Sequence, residues 1–193
     1  MVSVMSRRSE KGFTLIEVVV TFFIISIGLL GLLSLQVTVM NQAVNAQMRA
    51  EATALITDLS ERIAMLPTRA FDGEFNRPNQ LLGETYTECG GMTIDTPEFL
   101  LCEWNNLLNT SRTDPGLMAP QGAVGCIDWS PTQSTQPTRY KVVRIAIAWV
   151  GQNQITETPV DCGVGVIDPA YRRALFRDIN VRDLRKEGLW NEI

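Results

Sequence analysis

The sequence predicts an α+β protein in which a long N-terminal helix is laid on a small antiparallel sheet. Three observations predict it. An uninterrupted apolar run opens the chain, a proline-free stretch with helical periodicity follows it, and alternating apolar runs fill the C-terminal half. The chain has 193 residues, enough for one domain with a proper core plus an extra element. Its formal net charge of -4 is too mild to point to nucleic acid or an acidic substrate as the main partner.

The first twelve residues, MVSVMSRRSEKG, are polar and net basic through Arg7, Arg8 and Lys11 against Glu10. From Phe13 to Leu35 the chain then reads FTLIEVVVTFFIISIGLLGLLSL, 23 residues with the single charge of Glu17. A helix of that length rises about 34 Å, enough to cross the hydrocarbon core of a membrane. Basic residues precede the run closely, and the next one after it is Arg49. The positive-inside rule therefore places the N-terminus in the cytoplasm and the remainder across the membrane. A secretory signal peptide fits less well, since the run is long and no small-residue cleavage site follows it. A plain single-pass anchor is the simplest alternative.

The helix is expected to continue to Leu66, because the first proline is Pro67. In its second half Val44, Met48, Ala52, Leu55, Leu59, Ile63 and Leu66 recur at spacings of three and four. That stripe predicts core packing against the rest of the chain. Asp58 and Arg62 form an i,i+4 pair on another face. Thr68–Pro97 is rich in Gly, Pro, Asn and Thr, which predicts an extended connecting loop with room for short strands. Thr96 is placed to cap a helix starting at Pro97-Glu98, with Phe99, Leu100, Trp104, Leu107 and Leu108 on its buried side. Thr110 to Pro120 is expected to break it. Ala123–Trp129 and Tyr140–Val150, flanking the polar stretch SPTQSTQPT, predict a long hairpin, and Arg172–Val181 a third strand.

Four cysteines stand at Cys89, Cys102, Cys126 and Cys162, and no pair has the close spacing of a zinc site. Beyond the membrane they would meet an oxidising compartment, which fits disulfides. Three pairings stay open; Cys89–Cys102 with Cys126–Cys162 is the one favoured.

The acid inside the apolar run needs an explanation. A carboxylate costs roughly 2.5–3.5 kcal/mol at the membrane centre, and it needs a partner that the run does not contain. The junction Lys11-Gly12-Phe13-Thr14-Leu15-Ile16-Glu17 resembles the class III signal of type IV prepilins and of type II secretion pseudopilins. The resemblance implies that a membrane peptidase cuts between Gly12 and Phe13 and that Phe13 is then N-methylated. It implies that Glu17 pairs with the N-terminus of a neighbouring subunit and so sets register during assembly. The fold class becomes pilin-like, with a leader at 1–12, a helix at 13–66 (transmembrane to residue 40, amphipathic from 41) and a periplasmic head at 67–193. Pilins commonly carry a helix-weakening proline in the membrane half; here only Gly28 and Gly31 soften it.

From Thr96 to Val181 the pattern resembles PilV-type minor pilins: a short Trp-containing helix, a turn, a strand, a strand ending in Ala-Trp-Val-Gly, and a C-terminal Arg-rich strand. That implies a minor pilin taking part in priming and assembly of a type IV pilus. Its implied partners are other minor pilins and the major pilin, the prepilin peptidase, the inner-membrane assembly platform and membrane lipid. A type II secretion pseudopilin is the nearest alternative. A membrane-anchored periplasmic binding protein is the alternative from another class.

No catalytic constellation is recognisable. Histidine is absent, which removes the commonest general base and metal ligand, so no enzyme, cofactor or metal is expected. Gly163-Val164-Gly165 lacks the setting of a dinucleotide loop, and Asn109-Thr110-Ser111 reads as a loop, not a glycosylation site. The stretch with Arg172, Arg173, Arg177, Arg182, Arg185 and Lys186 is balanced by Asp178, Asp183 and Glu187 and lacks aromatic interleaving of the sort a single-strand platform uses. It reads as a solvated strand face and tail, and nucleic acid is not an expected partner.

Overall fold

A computed structural model describes residues 12–113, 120–130, 140–155 and 158–187. The chain divides into two compact units, 1–43 and 44–193. Helix α1 spans Leu15–Met65, and its residues within the first unit are exposed throughout. Its hydropathy and length suffice to cross a membrane. This absence of any covering core is what an apolar helix shows when its natural surroundings are lipid or other helices.

In the second unit the helical stripe goes inward. Ala52, Leu55, Leu59 and Ile63 are buried, and Met48 and Leu66 pack against the same core. Val44 stays exposed at 39%, so the buried face begins one turn later than the periodicity suggests. Ile56 joins the face, widening the stripe.

Pro67 does not open a loop. It stands at the start of a short helix α2, Pro67–Asp72, where the missing N–H costs nothing. Gly73 ends α2 in the left-handed region, with φ of 91°. The segment that follows is irregular, with one isolated bridge between Leu82 and Gly125. It nevertheless supplies Phe75 and Leu82 to the core, which its composition does not reveal.

Helix α3 spans Pro97–Thr113. The Thr96 hydroxyl accepts the Phe99 N–H at 3.3 Å, which is the expected N-cap bond. The helix runs past Thr110, whose hydroxyl is absorbed by the Asn106 carbonyl at 2.8 Å. Residues 114–119, within the Thr110 to Pro120 stretch expected to break the helix, lie outside the described residues, as does most of the polar stretch after Ser130.

The strands are β1 Val124–Trp129, β2 Tyr140–Val150 and β3 Arg172–Arg182, in the antiparallel order β1-β2-β3. In β2, Val143, Ile145, Ile147 and Trp149 face the core that holds α1 and α3. Ala146 and Ala148 face a second, smaller cluster with Val124, Cys162 and Ile167. Both sheet faces are therefore covered along β2. Trp104 fastens the main core: it is 1% exposed, and its indole N–H donates to the Leu55 carbonyl of α1 at 3.2 Å. Its ring lies where a Cβ on Gly125 would stand, which is why β1 carries glycine there. The architecture is α+β and pilin-like.

Candidate processing and assembly site

Gly12, Phe13 and Thr14 precede α1 as non-helical, exposed backbone. Phe13 and Leu15 are each 83% exposed, and a Cβ added at Gly12 would meet nothing within 4 Å. The Thr14 carbonyl accepts the N–H groups of Glu17 at 3.1 Å and Val18 at 3.3 Å, so the chain turns into helix at Thr14. Glu17 is then the third helical residue. Thr14-Leu15-Ile16-Glu17 has the spacing of a capping box, and the first turn of a helix favours a negative charge.

Three hydroxyls in this part of α1 are bonded back to their own helix. Thr21 donates to the Val18 carbonyl at 2.8 Å, Ser26 to Phe22 at 2.7 Å and Thr38 to Ser34 at 3.1 Å. Glu17 has no such recourse: among the described residues no cation pairs with its carboxylate. Gly28 and Gly31 have open space at their Cβ positions, room that a neighbouring helix could use.

The four cysteines stand as two disulfides, Cys89–Cys102 and Cys126–Cys162. The first ties the irregular segment to α3, beside a polar network. There the Asn105 amide accepts the Gly83 N–H at 2.7 Å and donates to the Thr85 carbonyl at 2.8 Å. The second ties β1 to the β2–β3 connection beneath the smaller cluster.

The arginines of the C-terminal stretch are mostly engaged within the fold. Arg172 donates to the carbonyls of Val160 and Cys162, both at 2.8 Å. Arg177 reaches the hydroxyls of Thr57 and Ser60, and Arg185 holds Asp72 and Asp183. They do not form one free cationic face. Hydrogen bonds that it donates to Asp183 and Asp72 raise the Arg185 guanidinium above its ordinary range. For Arg62 burial pulls downward, but the bonds to Asp58 and Glu103 outweigh it and the net shift is upward. Lys141, which sequence reasoning passed over, sits between the rings of Phe71 and Trp129, 4.6 and 4.7 Å from their centroids. Among the described residues no group of three or more His, Cys, Asp or Glu side chains is gathered as a metal would need.

Residues 7–33 match a family model described as the prokaryotic N-terminal methylation motif. No curated protein and no solved structure gives a significant match to the chain. The matched segment contains Arg7, Arg8, Lys11, Gly12, Phe13, Glu17 and most of the apolar run. It supports a type IV pilin-like or pseudopilin protein, a class that is typically structural and not enzymatic. The apolar helix together with this signal points to membrane anchoring.

Proposed function

We propose that the chain is the precursor of a minor pilin of the PilV type, a non-enzymatic subunit that helps to prime and assemble a type IV pilus. One observation carries the reading: Gly12, Phe13 and Glu17 stand in the methylation motif directly before a helix that is apolar and uncovered. The leader, residues 1–12, stays in the cytoplasm, and the peptidase cuts between Gly12 and Phe13. Phe13 becomes an N-methylated terminus. Residues 13–40 wait in the inner membrane, residues 41–66 continue the helix, and the 67–193 head faces the periplasm, where both disulfides persist.

Cutting creates an ammonium group four residues before Glu17, at a similar depth in the membrane. An ion pair in low dielectric is strongly penalised when broken, so the Glu17 carboxylate and the terminus of a neighbouring subunit select one axial register. Other minor pilins, the major pilin and the assembly platform are the partners this mechanism needs. A type II secretion pseudopilin uses the same physical logic, and the same motif supports it.

The test is the intact mass of the protein in sheared surface pili and in washed inner membranes from the same cells. A chain that starts at methylated Phe13 in the pili supports the minor-pilin reading. The processed chain found only in membranes alongside an active secretion system favours the pseudopilin. A chain that keeps its leader overturns both and leaves a membrane-anchored binding protein.

A further inference from the structure

Strand β3 stands at the edge of the sheet, and among the described residues it pairs with β2 alone. One step past the Val150–Arg172 pair, the Gly151 N–H donates to the Tyr171 carbonyl at 2.7 Å. Odd-numbered residues of β3 therefore bond to β2, and even-numbered ones turn their backbone groups away from the sheet. Among the described residues nothing hydrogen-bonds to the outward backbone groups of Ala174, Phe176, Asn180 or Arg182. Phe176, Asn180 and Arg182 are also exposed. Such a row of N–H and C=O groups is a template for a further strand.

The charge along that edge says which kind of strand. Among the described residues, neutral oxygens hold three of its arginines. Arg172 bonds to the carbonyls of Val160 and Cys162, Arg173 to that of Asn153, and Arg177 to the hydroxyls of Thr57 and Ser60. Arg182 makes no hydrogen bond or ion pair with a described residue. Asp178, the one carboxylate of β3, is taken up by Arg144. Four positive charges are thus left along eleven residues. Two pockets line the strand where it passes α1. The first, of about 480 Å³, is lined by Asn45, Arg49, Trp149 and Arg173, with no carboxylate among its described lining residues. Asn45 Oδ1 is buried without a hydrogen-bond partner, and turning the amide over exchanges it for an NH2 donor. The second, of about 390 Å³, is lined by Thr57, Ser60 and Glu61 with Arg177 and Asn180. Arg173 and Arg177 are four residues apart, about 13 Å along a strand, so side chains at i and i+4 of an added strand match both pockets. We propose that the open edge of β3 takes on an extended acidic segment of another polypeptide as a fourth strand, with a carboxylate bound by Arg49 and Arg173. A second copy of β3 is the wrong partner, because it would bring like charges together. The surface belongs to the 44–193 unit and does not depend on processing at Gly12.

The experiment uses the full chain in detergent micelles and labelled nonapeptides, read by fluorescence anisotropy. The probe is TVETTVETT, whose glutamates at its third and seventh positions let either strand direction bring one to Arg49 and Arg173. It is expected to bind at least about tenfold more tightly than its glutamine counterpart, as a close charge pair contributes. Arg49→Gln/Arg173→Gln should abolish that difference, and Arg49→Lys/Arg173→Lys should restore part of it. N-methylation of the probe at its even or its odd positions blocks one edge of the extended peptide or the other. One of these two forms should bind at least about tenfold more weakly than the other, having lost its bonds to β3. Ala174→Pro removes an outward N–H of β3 without removing a bond to β2, and should weaken the unmodified probe. If that variant does not fold, the methylated probes still test the edge on the wild type. Bound probe should slow hydrogen exchange in β3. Equal binding of the glutamate and glutamine probes, or of the two methylated forms, overturns the proposal. So does an absence of binding, slowed exchange that leaves β3 unchanged, or self-association of the chain in place of a peptide complex.

Discussion

Arg144 of β2 holds Asp178 of β3 at both carboxylate oxygens, Nε to Oδ1 at 2.7 Å and Nη2 to Oδ2 at 2.8 Å. The two residues are direct partners in the strand register. The guanidinium also lies 4.2 Å from the centroid of the Phe176 ring, and Ser130 donates to the same carboxylate at 2.9 Å. Their side chains are 18% and 26% exposed, so the pair is only partly screened by water. Arg144→Met leaves a partly buried carboxylate without its cationic partner and is expected to lower stability by about 1.5–3 kcal/mol. Arg144→Lys should recover less than half of that, because an ammonium cannot span both oxygens. Urea unfolding of the chain in mild detergent measures both; a midpoint for the methionine variant equal to wild type would remove the pair from the stabilising contacts.

The two disulfides should differ in what they contribute. Closing a longer loop removes more freedom from the unfolded chain. Sequence separations of 13 and 36 correspond to about 3 kcal/mol for Cys89–Cys102 and about 4 kcal/mol for Cys126–Cys162. The second also sits against the smaller core cluster, where Cys162 is buried. Cys126→Ala/Cys162→Ala is therefore expected to unfold at lower urea than Cys89→Ala/Cys102→Ala. The reverse order would show that the polar network around Asn105 depends on its disulfide more than loop length suggests.

Much of this was legible in the sequence, for local reasons. Helix α1 is one uninterrupted periodic pattern, and β2 has the bounds Tyr140–Val150 because alternation and a glycine mark them. Helix α2 was not legible: six residues are too few for periodicity, and Pro67 reads equally as an end or a beginning. Phe75 and Leu82 were missed because irregular segments bury side chains through tertiary contacts alone. The methylation motif is contiguous and so was read directly. The Asn45–Arg49–Arg173 pocket joins residues far apart in the chain, and no pattern in the sequence brings them together.

Neutral pH should leave the stability of the head almost unchanged. The chain has no histidine, the side chain whose ordinary titration falls in that range. The Asp178 hydrogen bonds hold the Arg144 guanidinium above its ordinary value, against an opposing effect of burial. A raised folded pKa contributes stability that is fully present below the unfolded value and lost only as pH rises through the folded one. For an arginine that window is strongly alkaline. Thermal unfolding between about pH 6 and about pH 9 should shift by no more than about 2 °C. A larger fall across that range would reveal a titrating group that the contacts described above do not include.

Substitution at Gly12 separates recognition by the peptidase from folding. A Cβ added at exposed Gly12 meets nothing within 4 Å, so Gly12→Val is expected to leave the fold of the chain unchanged. Loss of processing in this variant would then reflect the peptidase alone. The expected result is an intact mass retaining the leader, with both disulfides formed and an unfolding midpoint equal to wild type. Efficient cutting of Gly12→Val would place the processing point elsewhere.

Glu17 is the residue on which the proposed assembly mechanism turns. It lies in the first turn of α1, in an apolar run whose three back-bonded hydroxyls are paired with their own backbone. The neutral variants Glu17→Val and Glu17→Gln remove the charge without touching any described contact of the head. Both are expected to be cut after Gly12 and methylated like wild type, since the junction itself is unchanged. Both should accumulate in the inner membrane and fall at least about tenfold in sheared filaments, the effect of losing roughly 1.4 kcal/mol of register-setting interaction. The comparison of Val with Gln matters. If only charge pairing sets register, the two should fail alike; if Gln incorporates well, the capping-box spacing with Thr14 is the working part, because an amide can serve there. Wild-type incorporation of both variants would end the register mechanism while leaving processing at Phe13 untouched.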